Sequence, residues 1–212
     1  MAGKIKLSKK DFIPVVIITA IALVLSMLLT VLNFALYVSP EERTMRAIKK
    51  IYGAEKEYEV ILDASKEGSE AWTDAYGYGK VSLLYKVDGE NGFDYLIKST
   101  GFNGYKGGTI TCWVVVSVSN TEKKITKVIL DSYEKQTLMS KFNANFWENM
   151  YVDVTDDYDA WFVSKMTDEI LNQNPNAVHN PMSGASMSGT AGCNAINCAI
   201  ACVNNFDFGG NA

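Results

Sequence analysis

The chain carries one long uncharged segment near its start, and this segment limits what the rest can fold into. Residues 12–38 contain no Asp, Glu, Lys or Arg and are rich in Val, Ile, Leu and Ala. As an α-helix rising 1.5 Å per residue, the segment would be about 40 Å long, enough to cross a bilayer with some tilt. Pro14 falls in the first turn, where its missing N–H costs no hydrogen bond. The sequence therefore predicts a transmembrane helix.

A cleaved signal peptide is the alternative interpretation of this segment, because it too begins with a basic region. Its apolar core is about 7 to 15 residues long and ends at a small-x-small cleavage site. Residues 12–38 form a longer run without a convincing site of that kind, which favours a retained anchor. Lysines precede the segment and Glu41 and Glu42 follow it, so the positive-inside rule places the N-terminus in the cytoplasm. We therefore expect a single-pass protein of the inner or plasma membrane whose main domain is extracytoplasmic.

The pattern changes after the anchor. Residues 41–60 have apolar side chains at helical spacing, and residues 64–78 form a polar stretch punctuated by glycine, typical of a loop. Runs rich in β-branched and aromatic residues predict strands at 80–87, 93–100, 109–119 and 125–131. Helical spacing is expected around 142–147, at 164–172 and at 193–205. Strands in succession followed by helices predict an α+β domain with an antiparallel sheet and flanking helices.

These patterns divide the chain into an anchor and one domain of ordinary size. Of the 212 residues, 48% are hydrophobic and 11% aromatic, enough for a packed core. The net charge of -4 gives no reason to expect nucleic acid as a partner. The predicted segments are a cytoplasmic tail 1–11, a transmembrane helix 12–38, a connector helix and loop 39–78, a main domain 79–206 and a C-terminal tail 207–212.

A run of small residues near the C-terminus is the strongest candidate for a binding site. Residues 182–192 contain four hydroxyl side chains and three glycines, and a helix is predicted to follow at once. The first turn of a helix leaves backbone N–H groups unpaired and carries the positive end of the helix dipole, so it attracts anions such as phosphate. The same composition is also found in ordinary flexible loops and helix caps. The run contains neither a P-loop nor a Rossmann fingerprint.

Part of this run resembles the flavin-attachment motif of the FMN-binding domain family. Ser183-Gly184-Ala185-Ser186-Met187-Ser188 is similar to the Ser/Thr-Gly-Ala-Thr-x-Thr/Ser motif shared by the G subunit of the Rnf ferredoxin:NAD oxidoreductase and the C subunit of the sodium-pumping NADH:quinone reductase. In that family a flavin transferase joins the phosphate of FMN to the hydroxyl of the fourth motif residue. The resemblance implies covalent FMN on Ser186, with Ser183, Gly184, Ala185, Met187, Ser188, Gly189 and Thr190 around it.

Two features of the motif differ from the family pattern. The family usually has threonine at the fourth position and aspartate three residues before the motif, where this chain has Ser186 and Asn180. Serine supplies the same nucleophilic oxygen as threonine, so the attachment chemistry remains available. Thr190 is the nearest alternative acceptor, but no alanine precedes it. Ser186 is therefore the expected attachment residue.

A second resemblance lies upstream, in the strand region. The family builds part of its flavin pocket from a Gly-Tyr-x-Gly turn before a long strand, and from a later loop that begins with glutamate. Residues 104–107 match the turn, and Glu134 and Leu138 match two positions of the Glu-Thr-Pro-Gly-Leu-Gly loop. The resemblance thus implies that Glu134 and Leu138 contribute to cofactor binding.

The resemblance implies an electron-transfer subunit within an ion-translocating oxidoreductase complex. Its partners would be the other membrane subunits of the complex and, during maturation, the flavin transferase. No catalytic acid or base is expected, because a flavin carries the electrons itself. The Rnf complex is the primary expectation, since the chain is small. The alternatives are the C-type subunit of the quinone reductase and a non-redox anchored module, such as a sensor or ligand-binding domain.

Other chemistry-bearing residues give weaker signals. His179 is the only histidine, so a histidine-rich metal site has little support, and a surface loop is its expected place. Cys193, Cys198 and Cys202 lie in the predicted last helix without a Cys-x-x-Cys spacing, and we expect them to be small buried residues. An aspartate cluster at 156–159 lacks the pattern of a calcium loop and is expected to be a solvated turn. No metal site is predicted.

Overall fold

A computed structural model describes most of the chain. The described residues are 9–89, 92–119, 123–142, 146–147, 150, 161–164, 172, 177–180 and 185–208. The chain divides into two compact units, Met1–Lys56 and Glu57–Ala212. The predicted helix at 164–172, the aspartate cluster at 156–159, and Ser183 and Gly184 of the motif fall largely or wholly outside the described residues.

The first unit begins with helix α1, Lys9–Leu36. Its segment Phe12–Leu36 is long and apolar enough to cross a membrane, and the side chains of this segment are exposed. Thr19 and Thr30 each donate their hydroxyl to the carbonyl four residues earlier, so these two polar groups are bonded within the helix. The predicted apolar helix is confirmed, and it fits a single-pass anchor. A signal sequence near the N-terminus also meets this criterion of length and composition.

Helix α2, Pro40–Tyr52, has defined signals at both ends. The Ser39 hydroxyl accepts a hydrogen bond from the N–H of Glu42 (3.1 Å), and Pro40 occupies the first turn. Gly53 adopts a left-handed conformation (φ 76°) and donates its N–H to the Lys49 carbonyl, which ends the helix. The predicted helix over 41–60 is therefore wrong beyond Tyr52.

The second unit is built on an antiparallel sheet in the order β1-β3-β4-β5-β6, with β2 paired to β3. Its strands are β1 (Tyr58–Asp63), β2 (Trp72–Thr73), β3 (Gly79–Asp88), β4 (Phe93–Gly101), β5 (Ile110–Val118) and β6 (Lys123–Tyr133). The four strands predicted from sequence correspond to β3 through β6. Strands β1 and β2 lie within 39–78, which the sequence had indicated as connector, so the sheet starts earlier than predicted.

Two further strands and one long helix complete the described part of this unit. Strands β7 (Trp161–Val163) and β8 (Ala177–His179) pair in parallel, and helix α3 spans Ser186–Phe208. The predicted α+β architecture, with an antiparallel sheet and flanking helices, is confirmed. The predicted helix at 193–205 is present but begins seven residues earlier, inside the Ser/Gly run.

Helix α3 packs against one face of β3, β4 and β5. Alternate residues of β5 point to this face and are fully buried, including Ile110, Val114 and Val116. The helix contributes small or branched side chains such as Ala195, Ile196, Ala199 and Val203. These small side chains bring the helix close to the sheet, and the N-terminal end of α3 extends past the end of β4.

The buried carboxylate of Asp74 holds the loop between β2 and β3. One oxygen accepts the N–H groups of Tyr76 (2.8 Å) and Tyr78 (3.2 Å), and the other accepts that of Gly79 (2.5 Å). Asp74 is 8% exposed and Gly79 is buried, so water cannot readily replace the hydrogen bond between them. This side chain replaces the hydrogen bonds that a regular element would give the loop backbone.

Replacing Asp74 by alanine is expected to lower the free energy of unfolding by about 2 kcal/mol, because three backbone donors lose a charged acceptor. The Asp74→Asn variant retains one acceptor oxygen and should lose less. Glu70, exposed on the preceding loop between β1 and β2, provides the control, and Glu70→Ala should change stability by less than about 0.5 kcal/mol. Urea denaturation of the full chain in detergent measures all three variants. Equal stability of Asp74→Ala and Glu70→Ala would show that the loop does not depend on this carboxylate.

Candidate cofactor-attachment site

The N-terminus of α3 has the features of an anion-binding helix end. The helix begins at Ser186, and its first hydrogen bond runs from the N–H of Gly189 to the carbonyl of Ala185 (2.9 Å). The N–H groups of residues 186–188 precede that bond, so no carbonyl within the helix accepts them. They also lie at the positive end of a helix dipole generated over the Ser186–Phe208 segment.

The three hydroxyl side chains of this helix end differ in what they contact. The Ser188 hydroxyl is buried and donates to Oε1 of Gln136 at 2.6 Å. The Thr190 hydroxyl donates to the Ser186 carbonyl (3.0 Å) and lies 2.7 Å from the Ser164 hydroxyl. Ser186 is exposed, and its hydroxyl makes no hydrogen bond to any residue in the described ranges. Of the three, Ser186 therefore presents the oxygen that an external reagent can reach.

Ser164 contacts the helix end at the main chain of Ser186, a role that sequence analysis did not predict. Ser164 directly follows β7, and its buried hydroxyl donates to the Ser186 carbonyl at 2.9 Å. Strand β7 is itself fixed to α3, because the Asn197 side chain accepts the N–H of Phe162 (2.8 Å) and donates to its carbonyl (2.9 Å). Ser186 is thus held at its main chain while its side chain remains exposed.

Gln136 joins the helix end to the loop after β6. Its Oε1 accepts the Ser188 hydroxyl and the N–H of Tyr105 (3.2 Å), and its Nε2 donates to the Glu134 carbonyl (2.9 Å). The residue is 7% exposed. The main chain of Glu134 also exchanges two hydrogen bonds with Thr109, extending the β5–β6 ladder. Gln136 was not among the residues predicted from sequence.

The structure brings together the two parts of the site that the sequence predicted separately. Glu134 and Leu138 lie on the loop after β6 with exposed side chains, and Met187 is exposed on the first turn of α3. Ala185 and Gly189 are buried and pack the turn against the domain. The Gln136–Ser188 hydrogen bond connects these segments. Glu134 contributes its main chain to this connection, and its carboxylate faces solvent.

The predicted Gly-Tyr turn forms a short 3₁₀ turn, Tyr105–Gly107, before β5. The N–H of Gly104 donates to the Gly108 carbonyl (2.9 Å) and closes the turn. Tyr105 donates its N–H to Gln136, so this turn belongs to the same assembly as the helix end. The glycine-rich turn thus contributes backbone groups, while its Lys106 side chain is exposed.

The remaining candidates do not form a reactive or metal-binding group. Among the described residues, no cluster of three or more His, Cys, Asp or Glu side chains is placed to hold a metal ion. His179 is exposed at the end of β8, opposite Val163. All four cysteines are free and buried, as expected for those of α3. Burial raises the pKa of Cys193, Cys198 and Cys202 to about 12, so these thiols stay protonated and unreactive at neutral pH.

The folded protein is therefore expected to react with a thiol reagent such as iodoacetamide at none of its cysteines at pH 8, and at all four after unfolding. Folding raises the pKa of the Cys193 thiol from its ordinary value of 9.0 to about 12, so this thiol loses its proton at a lower pH in the unfolded chain than in the folded one. The contribution of these buried, protonated thiols to the free energy of unfolding is fully present below pH 9 and is lost as the pH rises towards 12. Mass spectrometry of alkylated peptides measures the reaction, and rapid labelling of Cys198 in the native state would contradict the assignment.

Comparison of the chain with protein-family models, curated proteins and solved structures found no match. The features of the site that bear on function are the exposed Ser186 hydroxyl at a helix N-terminus and the exposed apolar side chain of the adjacent Met187.

Proposed function

We propose that this protein is a membrane-anchored flavoprotein that carries FMN esterified to Ser186 and transfers electrons within an ion-translocating ferredoxin:NAD oxidoreductase complex of the Rnf type. The observation that carries the proposal is the exposed hydroxyl of Ser186 at the start of α3, which has no hydrogen-bond partner among the described residues, next to two hydroxyls that are already hydrogen-bonded. The resemblance of residues 183–188 to a flavin-attachment motif supplies the identity of the group.

The attachment chemistry suits this position. An oxygen–phosphorus bond would form at Oγ of Ser186, and the hydroxyl proton would pass to a base of the flavin transferase. The bond between the FMN phosphorus and the leaving group of the flavin donor would break, and the leaving group would take the electron pair of that bond. The enzyme must reach the acceptor oxygen, which requires an exposed side chain, and Ser186 is exposed while Ser188 is 3% exposed. The fixed main chain of Ser186, bonded to Ser164, presents the hydroxyl in one place.

The helix end also suits the charge of the product. A phosphodiester retains one negative charge. The N–H groups of residues 186–188 lie at the positive end of the helix dipole, which favours that charge. No lysine or arginine lies within residues 180–190, so the backbone would supply this local stabilisation. The residues present therefore fit a phosphate group without a cationic side chain.

The exposed apolar residues beside the ester fit the ring system of the cofactor. Leu138 is 41% exposed and Met187 53% exposed, and both belong to the segments joined by Gln136. When bound, FMN supplies the electron-carrying chemistry, and the protein supplies attachment, orientation and surroundings. The chain then needs no acid or base of its own, and the exposed site allows close approach of redox partners.

The anchor gives the proposal its cellular setting. Helix α1 would hold the protein in the inner or plasma membrane, and the lysines of residues 1–11 favour a cytoplasmic N-terminus. The FMN-carrying domain would then be extracytoplasmic, beside the other membrane subunits. A covalent bond is an advantage there, because a dissociating cofactor would be lost from the cell.

Co-expression with a flavin transferase tests the proposal. The full chain is purified in detergent, unfolded in guanidinium chloride and freed of small molecules by gel filtration. We expect flavin absorbance to remain with the polypeptide and the intact mass to rise by one FMN less one water. Expression without the transferase is the control and should give neither signal. A colourless chain of unmodified mass after co-expression would favour a non-redox anchored module.

A further inference from the structure

Gln136 connects three segments that are distant in sequence. Its side-chain amide contacts the turn at Tyr105, the loop at Glu134 and the helix end at Ser188. Tyr105 and Ser188 are 31 and 52 positions away from it along the chain. Because Gln136 and Ser188 are both buried, water cannot readily replace these hydrogen bonds. The amide therefore determines how the loop lies on the helix end.

The glycines of the turn make room for this amide. A Cβ atom at Gly104 or at Gly108 would lie 2.5 Å from Nε2 of Gln136, closer than such atoms approach in proteins. At Gly108 the added atom would also meet the carbonyl oxygen of Glu134. Glycine at these positions is thus explained by the close approach of Gln136 together with backbone carbonyls, those of Gly108 at Gly104 and of Glu134 at Gly108.

Strained backbone conformations cluster around the same side chain. Among the described residues, those with positive φ that are not glycine are Asn103 (64°), Lys106 (52°) and Lys135 (57°). All three lie in the turn and the loop that Gln136 joins. Such conformations are unfavourable for residues with a Cβ atom and persist where the surrounding contacts impose them. The hydrogen bonds of Gln136 hold this backbone together with main-chain bonds between Gly104 and Gly108 and between Thr109 and Glu134.

We propose that Gln136 is a positioning residue, which locks the loop of residues 134–138 onto the first turn of α3 through its hydrogen bond to Ser188. The lock keeps the exposed Leu138 and Met187 side chains in a fixed arrangement beside Ser186. For the flavin ring this inference rests on the proposed function, because the lock would set how far the tethered ring is shielded from solvent. The lock itself is a property of the chain without a cofactor.

Hydrogen exchange of the cofactor-free chain tests the lock directly. The amides to follow are those that donate hydrogen bonds at the loop: Tyr105 to the Gln136 side chain, and Thr109 and Glu134 to each other. In Ser188→Ala these amides are expected to exchange about tenfold faster than in the wild type, because the loop opens more often. Gln136→Met preserves the side-chain length but removes all three hydrogen bonds, and it should have an equal or larger effect. Thr137→Ala removes an exposed hydroxyl from the same loop and is the matched control, with rates near wild type.

Combining the two variants shows whether they act through one contact. Once either partner of the Gln136–Ser188 pair is gone, removing the other should accelerate loop exchange less than it does in the wild type. Exchange in the centre of β4 reports global unfolding and should remain slow in every variant. Unchanged loop exchange in Ser188→Ala and Gln136→Met, with both folded, would overturn the proposal.

The flavin-loaded chain gives a second, spectroscopic measurement. Iodide is expected to quench the flavin fluorescence of Ser188→Ala about twofold more efficiently than that of the wild type and of Thr137→Ala, because a loosened loop shields the ring less. Equal quenching in the three loaded proteins would contradict the role in shielding. If the wild type carries no flavin, the proposed function fails, and loop exchange still decides whether the lock exists.

Discussion

Replacing Ser186 by alanine is expected to abolish flavin attachment completely. The variant lacks the exposed oxygen that forms the phosphoester, and the neighbouring hydroxyls of Ser188 and Thr190 are engaged in hydrogen bonds. After co-expression with a flavin transferase, the unfolded Ser186→Ala chain should show no flavin absorbance and an unmodified mass. The loss should exceed about a hundredfold, since the nucleophile itself is removed.

Two matched variants separate the loss of the nucleophile from damage to the helix end. Ser186→Thr keeps the hydroxyl and should be flavinylated. Thr190→Ala removes the hydroxyl that contacts Ser164, and it should also be flavinylated, because Thr190 donates to main chain and is not exposed. Full flavin on Ser186→Ala together with loss on Thr190→Ala would move the attachment to Thr190.

Replacing Gly101 by leucine is expected to unfold the second unit or to destabilise it by about 3 kcal/mol or more. A Cβ atom at Gly101 would collide with the carbonyl oxygen of Ala191 and the N–H of Ala195, which are backbone atoms of α3. Neither can rotate away as a flexible side chain would, so the helix must move off the sheet. The glycine is required by this close contact between β4 and α3.

Thermal unfolding of the full chain in detergent measures this effect. A loss of about 3 kcal/mol should lower the Tm by about 6 to 12 °C for a domain of this size. Lys80 is exposed on β3 and pairs with Thr100 beside the glycine, so Lys80→Ala is a suitable control from the same end of the sheet. It should change the free energy of unfolding by less than about 0.5 kcal/mol. A Gly101→Leu protein as stable as Lys80→Ala would contradict the close packing of α3.

Local patterns were sufficient to predict much of the fold. Strands β3 to β6 follow from β-branched and aromatic runs separated by glycine turns, because each strand must bury one or both of its faces. Helix α1 follows from an uncharged apolar run that has few other stable forms. The burial of Cys193, Cys198 and Cys202 follows from their place in a helix of small residues. These features depend on residues close together in the sequence.

The features that sequence analysis missed depend on contacts between distant segments. Helix α3 begins at Ser186, although serine and glycine are weak helix formers, because packing on the sheet outweighs local propensity. The predicted helix beyond Tyr52 ignored Gly53 as a stop signal. Gln136 and Ser164 carry no local signal at all, since their roles arise from hydrogen bonds to α3 across 52 and 22 positions. The sequence therefore indicated the candidate attachment motif but not Gln136 and Ser164, which hold it through hydrogen bonds.

The proposed function requires that one oxygen, Oγ of Ser186, carries the flavin. Trypsin cleaves between Lys165 and Met166 and at no later position, because no lysine or arginine follows. Residues 166–212 therefore form one peptide that contains every candidate hydroxyl of the motif. Fragmentation of this peptide by electron-transfer mass spectrometry assigns the added mass to a residue. We expect the FMN mass on Ser186, with Ser183, Ser188 and Thr190 unmodified. An added mass on any of those three residues, or an unmodified peptide from a chain co-expressed with an active transferase, would contradict the account.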